Sequence, residues 1–271
     1  MDRNLRDLER TYRLTGSTED EAAYLRGLLR SNYLAEGQLL AAAQLHYPAA
    51  QIILPAVQSP LTGNMGVTFY EQVEDFLFDL VTVDPEDPSP QLPFLLALAY
   101  LEEVQWIFEI SPEEDMQLLT QHATNIYVEP PQDLTFDVFA RMSRQIFDVW
   151  IETRWDEEMQ LQNQSVYGAI AEAEPIWDLA ANAAFNREEA SFHNASAAYW
   201  HFIRAIQTAQ GATSLSPRAF TDLRLAIGDV INAVLERYEV DNPEDLSGQD
   251  VKENLLRRVG DKIVPIILDL D

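Results

Sequence analysis

Apolar residues in this chain return every three or four positions, and that period is the main limit on what it can fold into. Such spacing lines them along one stripe of an α-helix. Leu5, Leu8 and Tyr12 set the pattern, and Gly16 stands where the first helix must stop. Thr18 and Glu21 have the spacing of a capping box ahead of Ala22, Leu25, Leu28 and Leu29. A third helix is expected over 36–45. Pro48 suits the first turn of a fourth, which must end before Pro55. Residues 58–66, with Pro60, Gly63 and Gly66, read as a loop.

Thr68 and Glu71 form a second box-like pair before the stripe Phe69, Val73, Phe76, Leu77 and Leu80. Residues 84–93 hold four prolines and read as a linker. A nearly all-apolar helix is expected over 94–110. The stripe Phe136, Phe139, Ile146, Val149 and Trp150 marks another, and Pro175 and Pro217 open two more. Asn186 and Glu189 have cap spacing ahead of Phe192, Tyr199, Phe202 and Ile206. The last helix is expected over 249–264, with Pro265 limiting its tail.

Alternating strand patterns are confined to Thr82-Val83 and 51–54, too short to build a sheet. The fold class expected is therefore all-α: roughly eleven antiparallel helices with short loops, as a helical bundle or an irregular α-solenoid. The chain forms either a single helical domain over 1–271 or two lobes, 1–83 and 92–271, joined by the proline-rich linker at 84–91. No period of 20–50 residues repeats along it.

Charge is distributed unevenly. The net charge is −27, from 18 basic and 45 acidic residues. Residues 1–30 carry six acids and six arginines, and residues 31–140 carry seventeen acids with no Lys or Arg. Residues 141–271 carry twenty-two acids and twelve bases. At the chain's average, about seven basic residues would fall in the middle segment. Opposite charges usually soften such single-sign surfaces. Glu71, Asp75 and Asp79 recur every four residues and share one helical face, although like charges at that spacing cost roughly 0.2–0.5 kcal/mol per pair. Asp84, Glu86 and Asp87 continue the negative potential.

These acids suggest an anionic docking surface for a basic protein, such as a toxin, a nuclease or another nucleic-acid-binding protein, with carboxylates standing in for phosphates. The plainer alternative is a solvated acidic face that keeps the chain soluble. Direct binding to nucleic acid or an anionic membrane is disfavoured by the same charge. Trp155, flanked by Arg154, Asp156 and Glu157, is the tryptophan best placed to be an exposed anchor.

The chemistry of known catalytic motifs is missing. There is no phosphate-cradling glycine loop, no nucleophile elbow and no H-E-x-x-H. Cysteine is absent, which removes disulfides, thiolate ligands and thiol nucleophiles and fits a reducing, cytoplasmic setting. His193 and His201 lie eight residues apart, about 12 Å along a helix, too far to share one zinc ion. Each of the four histidines reads as structural or surface. Asp241-Asn242-Pro243-Glu244-Asp245 resembles a calcium loop but has Leu246 at the turn glycine and Lys252 at the bidentate acid. No catalytic residue, metal or cofactor is assigned. Residues 92–101 are apolar but half the length a bilayer span requires, and the N-terminus lacks the charge-then-apolar order of a signal peptide.

Three functional readings follow. The first is a non-enzymatic inhibitor, immunity factor or adaptor that docks a basic partner. The second is a helical hydrolase or lyase using Glu102 or Glu103, whose apolar setting would raise a carboxyl pKa. The third is a scaffold subunit of a larger complex.

One resemblance bears on the first 50 residues. Leu5, Leu8, Glu9 and Arg10, then Thr15-Gly16, Glu19-Asp20-Glu21-Ala22, Tyr24-Leu25, Leu28-Leu29-Arg30, Leu34, Ala42, Leu45 and Pro48-Ala49-Ala50 resemble the start of a group of uncharacterised bacterial all-helical proteins. Val251-Lys252-Glu253-Asn254-Leu255-Leu256 and Ile263-Val264-Pro265 are similar to their closing helix. The resemblance implies a bacterial all-α protein and carries no known activity.

Overall fold

The computed structural model describes residues 3–85, 88–104, 106–107, 190–209, 215–241 and 247–269. Among these the fold is all-helical: nine α-helices, one 3-10 turn and no strand. The helices are α1 (Arg3–Thr15), α2 (Thr18–Arg30), α3 (Glu36–Gln44), α4 (Pro48–Ile53), α5 (Val67–Val81), α6 (Leu92–Glu102), α7 (Ala190–Ala209), α8 (Pro217–Asp241) and α9 (Gly248–Ile267). By contact density the chain forms two compact units. One comprises Met1–Leu96 and Lys252–Asp271, the other Ala97–Val251.

In the first unit the local signals work as elementary chemistry requires. Gly16 takes φ +61° after α1, and its N–H donates to the Tyr12 carbonyl at 2.8 Å. Only a residue without Cβ enters that region at no steric cost. Pro48 opens α4, where its missing N–H has no intrahelical partner to lose. Tyr12 of α1 stacks on Tyr24 of α2, ring centroids 6.1 Å apart.

Two helical glycines allow close backbone approach. A Cβ on Gly37 of α3 would lie 2.4 Å from the Val83 carbonyl oxygen. One on Gly260 of α9 would lie 2.5 Å from the Leu45 carbonyl oxygen. Helix α9 is further tied down by Gln38, whose side chain donates to the Ile267 carbonyl at 2.7 Å while accepting from the Ala35 N–H at 2.8 Å. The core of this unit includes Leu25, Leu39, Leu45, Phe69, Val73, Leu77 and Leu80, all essentially inaccessible.

In the second unit α7 packs against α8 along much of its length. Tyr199, Phe202, Ile203 and Ile206 of α7 and Leu223, Ile227, Val230 and Ile231 of α8 are all buried. The Tyr199 hydroxyl donates to the Leu101 carbonyl at 3.1 Å, which satisfies a polar tip deep among apolar groups.

Four sequence expectations require correction. Helix α2 is capped by Ser17, whose side chain accepts from the Asp20 N–H, so the cap is Ser17 with Asp20 and not Thr18 with Glu21. Helix α5 begins at Val67 behind extended Gly66 with no side-chain cap, so Thr68 and Glu71 lie inside it. Helix α6 starts at Leu92 and gives way to a turn at Glu103-Val104 before Trp106 and Ile107, so no single helix spans 94–110. Pro265 lies within α9, which runs on to Ile267. The cost of its missing N–H is one intrahelical bond, and the Leu268 N–H still reaches the Val264 carbonyl at 2.9 Å.

Candidate functional site

Helix α5 is amphipathic in an unusual way. Phe69, Val73, Phe76, Leu77 and Leu80 are buried to 2% exposure or less. Each such side chain contributes on the order of 1.5–3 kcal/mol, enough to fix the helix's rotation. At about 100° per residue, the opposite stripe holds Val67, Phe78, Glu71, Asp75 and Asp79 within about 120° of arc. Glu71, Asp75 and Asp79 are all exposed. Val67 and Phe78 are 78% and 61% exposed, apolar groups set beside three carboxylates.

Glu74 is half-buried at the edge of this stripe, and Asp84 is half-buried just beyond the helix. The structure therefore brings Glu71, Asp75 and Asp79 onto one face of α5. Glu86, Asp87 and Trp155 lie outside the described residues.

Among the described residues, Glu71, Asp75 and Asp79 make no ion pair with a basic side chain. Lys252 of α9 does reach the segment that lacks basic residues, but its Nζ donates to the Gly63 carbonyl at 2.8 Å, in the loop before α5. Burial pushes this ammonium below its ordinary pKa. The three carboxylates thus form a negative stripe about 12 Å long, set by eight residues of helical rise.

The alternative carboxylate site has a different setting. Glu102 is exposed at the end of α6, and Glu103 is half-buried in the following turn, where its carbonyl accepts from Trp106 Nε1 at 2.9 Å. Among the described residues no group of three or more His, Asp or Glu side chains is placed to hold a metal ion. Of the calcium-loop-like segment, 242–246 lie outside the described residues, as does His122. No described helix is long and apolar enough to cross a membrane.

Sequence reasoning missed two polar groups, each built around a buried carboxylate, Glu21 in one and Asp222 in the other. Glu21 is buried on the inner side of α2 and accepts from the Tyr47 hydroxyl, with Tyr12 also hydrogen-bonded to it. Burial and the Glu21 carboxylate together push the Tyr47 hydroxyl well above its ordinary pKa. The available signal was the position of Glu21 one residue before Ala22 on the apolar stripe, which a capping role obscured. The second group is His201 with Asp222 and Asp229. The seven-residue spacing of its two aspartates places them on one face of α8, but nothing local reveals the histidine opposite.

Compared with known proteins, no family model matches the chain, nor does any curated sequence or solved structure.

Proposed function

We propose that this chain is a non-enzymatic binding protein, an inhibitor, immunity factor or adaptor, that docks a basic protein partner on the outer face of α5. The observation that carries the reading is the pairing of three exposed carboxylates, without an ion pair among the described residues, with two exposed apolar side chains on one helix. Carboxylates steer a basic partner and set its register. Phe78 supplies an aromatic anchor of the kind that dominates interface energetics. The helix bears like charges at successive i, i+4 positions, a local cost that a bound basic partner relieves.

In this reading Asp84, Glu86 and Asp87, next in the chain, add negative charge, and Trp155 is a further candidate anchor. The whole chain is a bacterial, cytoplasmic protein of roughly eleven antiparallel helices.

The test compares wild type with a Glu71→Gln, Asp75→Asn, Asp79→Asn triple variant as immobilised bait at low and high salt. Wild type is expected to retain basic proteins that elute as salt rises, and the variant to lose them, because exposed charge pairs are screened within about 10 Å at 0.1 M salt. Retention of the same proteins by both baits, or of neutral and acidic proteins alone, would overturn the reading.

A further inference from the structure

A cluster of titratable groups, with Asp222 buried and His201 and Asp229 half-buried, bridges α7 and α8. His201 projects from α7 with Nδ1 3.6 Å from Asp222 Oδ1 and Nε2 3.7 Å from Asp229 Oδ2. The two aspartates are seven residues apart on α8, so they lie on one stripe and straddle the ring. Asp222 is 6% exposed, and His201 Nδ1 and Asp222 Oδ2 are enclosed without a hydrogen-bond partner among the described residues. Among the described residues the other charged group acting on the ring is Arg204, three residues along α7, which lies over the Trp200 ring.

The ring's bonding capacity determines how many protons this arrangement needs. A neutral imidazole has one N–H and one lone pair. If Nδ1–H faces ionised Asp222, Nε2 turns its lone pair toward Asp229. Two ionised carboxylates would then leave lone pair against lone pair on that side. One proton makes all three groups complementary, either on Asp229 beside a neutral ring or on the ring as an imidazolium between two carboxylates; on Asp229 it leaves one charge shielded from water instead of three.

We propose that His201, Asp222 and Asp229 form a single-proton site that keeps the α7–α8 pair insensitive to acidification, the folded protein holding on Asp229 the proton that the unfolded chain holds on His201. Burial supports the placement. It pushes Asp229 from 3.8 up to about 7. It also pulls His201 below its ordinary 6.5, outweighing the upward pull of Asp222, while Arg204 adds to the downward shift.

The two shifts have opposite linkage. Asp229, raised, contributes stability that is fully present below pH 3.8 and lost as pH rises through about 7. His201, lowered, contributes stability that is fully present above pH 6.5 and lost as pH falls through its folded value. Where both operate, folded and unfolded chains bind one proton each and the slopes cancel.

Single variants of the full chain unmask the halves. Between pH 6.5 and 5.5, the unfolding constant of Asp229→Asn is expected to rise about five- to tenfold relative to wild type, and that of His201→Gln to fall by a similar factor. Shifts of the same sign in both variants, or curves parallel to wild type, would sink the proposal. Ring ¹⁵N shifts of the wild-type protein at pH 5.5 give a second readout that needs no variant to fold. A neutral ring protonated at Nδ1 supports the site, and an imidazolium signature overturns it.

Discussion

The Tyr47 hydroxyl donates to the Glu21 carboxylate across the α2–α4 contact. Glu21 is 9% exposed, so this bond, shared with Tyr12, is what lets a carboxylate sit at the edge of an apolar core. Tyr47→Phe removes one donor and leaves the buried acceptor under-satisfied. The variant is expected to lose about 1–3 kcal/mol of unfolding free energy, read from denaturant midpoints. A loss no larger than that of an exposed substitution would show that water replaces the hydroxyl.

Gly260→Ala tests the close approach of α9 to the Leu45 carbonyl. A helical alanine is ordinarily preferred to glycine by about 1 kcal/mol. Here its Cβ would sit 2.5 Å from a backbone oxygen, which has no rotamer to escape into. Destabilisation of about 1–3 kcal/mol is expected despite the better propensity. Thermal unfolding decides the sign, and an unchanged or raised midpoint would show that α9 can shift.

Asp75→Asn tests the charge argument without any partner. Asp75 stands between Glu71 and Asp79 on the exposed face of α5. Neutralising it removes two i, i+4 repulsions and is expected to stabilise the free protein by roughly 0.4–1 kcal/mol at low ionic strength. The gain should shrink as salt is added. A loss of stability would mean that the carboxylate holds a favourable contact.

His46 gives the first unit a pH dependence of its own. Burial holds its imidazole below the ordinary 6.5, outweighing the upward pull of Glu253. Its contribution is therefore fully present above pH 6.5 and lost as pH falls through the folded value. His46 sits at φ 57°, a region asparagine tolerates, so His46→Asn preserves the backbone. The variant is expected to lose less stability than wild type between pH 7.5 and 5.5. Parallel denaturation curves would exclude His46 as the source.

Much of this architecture was legible because helices are made locally. Gly16, Pro48 and Pro217 mark boundaries through their own backbone chemistry, and the three acids of α5 share a face by rotation alone. Legibility failed where two local solutions were equally good. Ser17 with Asp20 and Thr18 with Glu21 have the same spacing, and only the choice of the former turned Glu21 inward to Tyr47. Proline at 265 reads as a stop, yet packing of α9 through Gly260 and the Gln38 bond to Ile267 carries the helix past it.

By itself, then, the sequence determined the all-helical class, several breaks among the described residues and the alignment of Glu71, Asp75 and Asp79, since each depends on neighbours within about four residues. Tertiary structure decided which polar groups lost water. Lys252 against the Gly63 carbonyl and His201 between two aspartates join residues far apart in the chain. Burial is a property of the surfaces that meet, and a 3.6-residue period records which side of a helix is apolar but not what lies across from it.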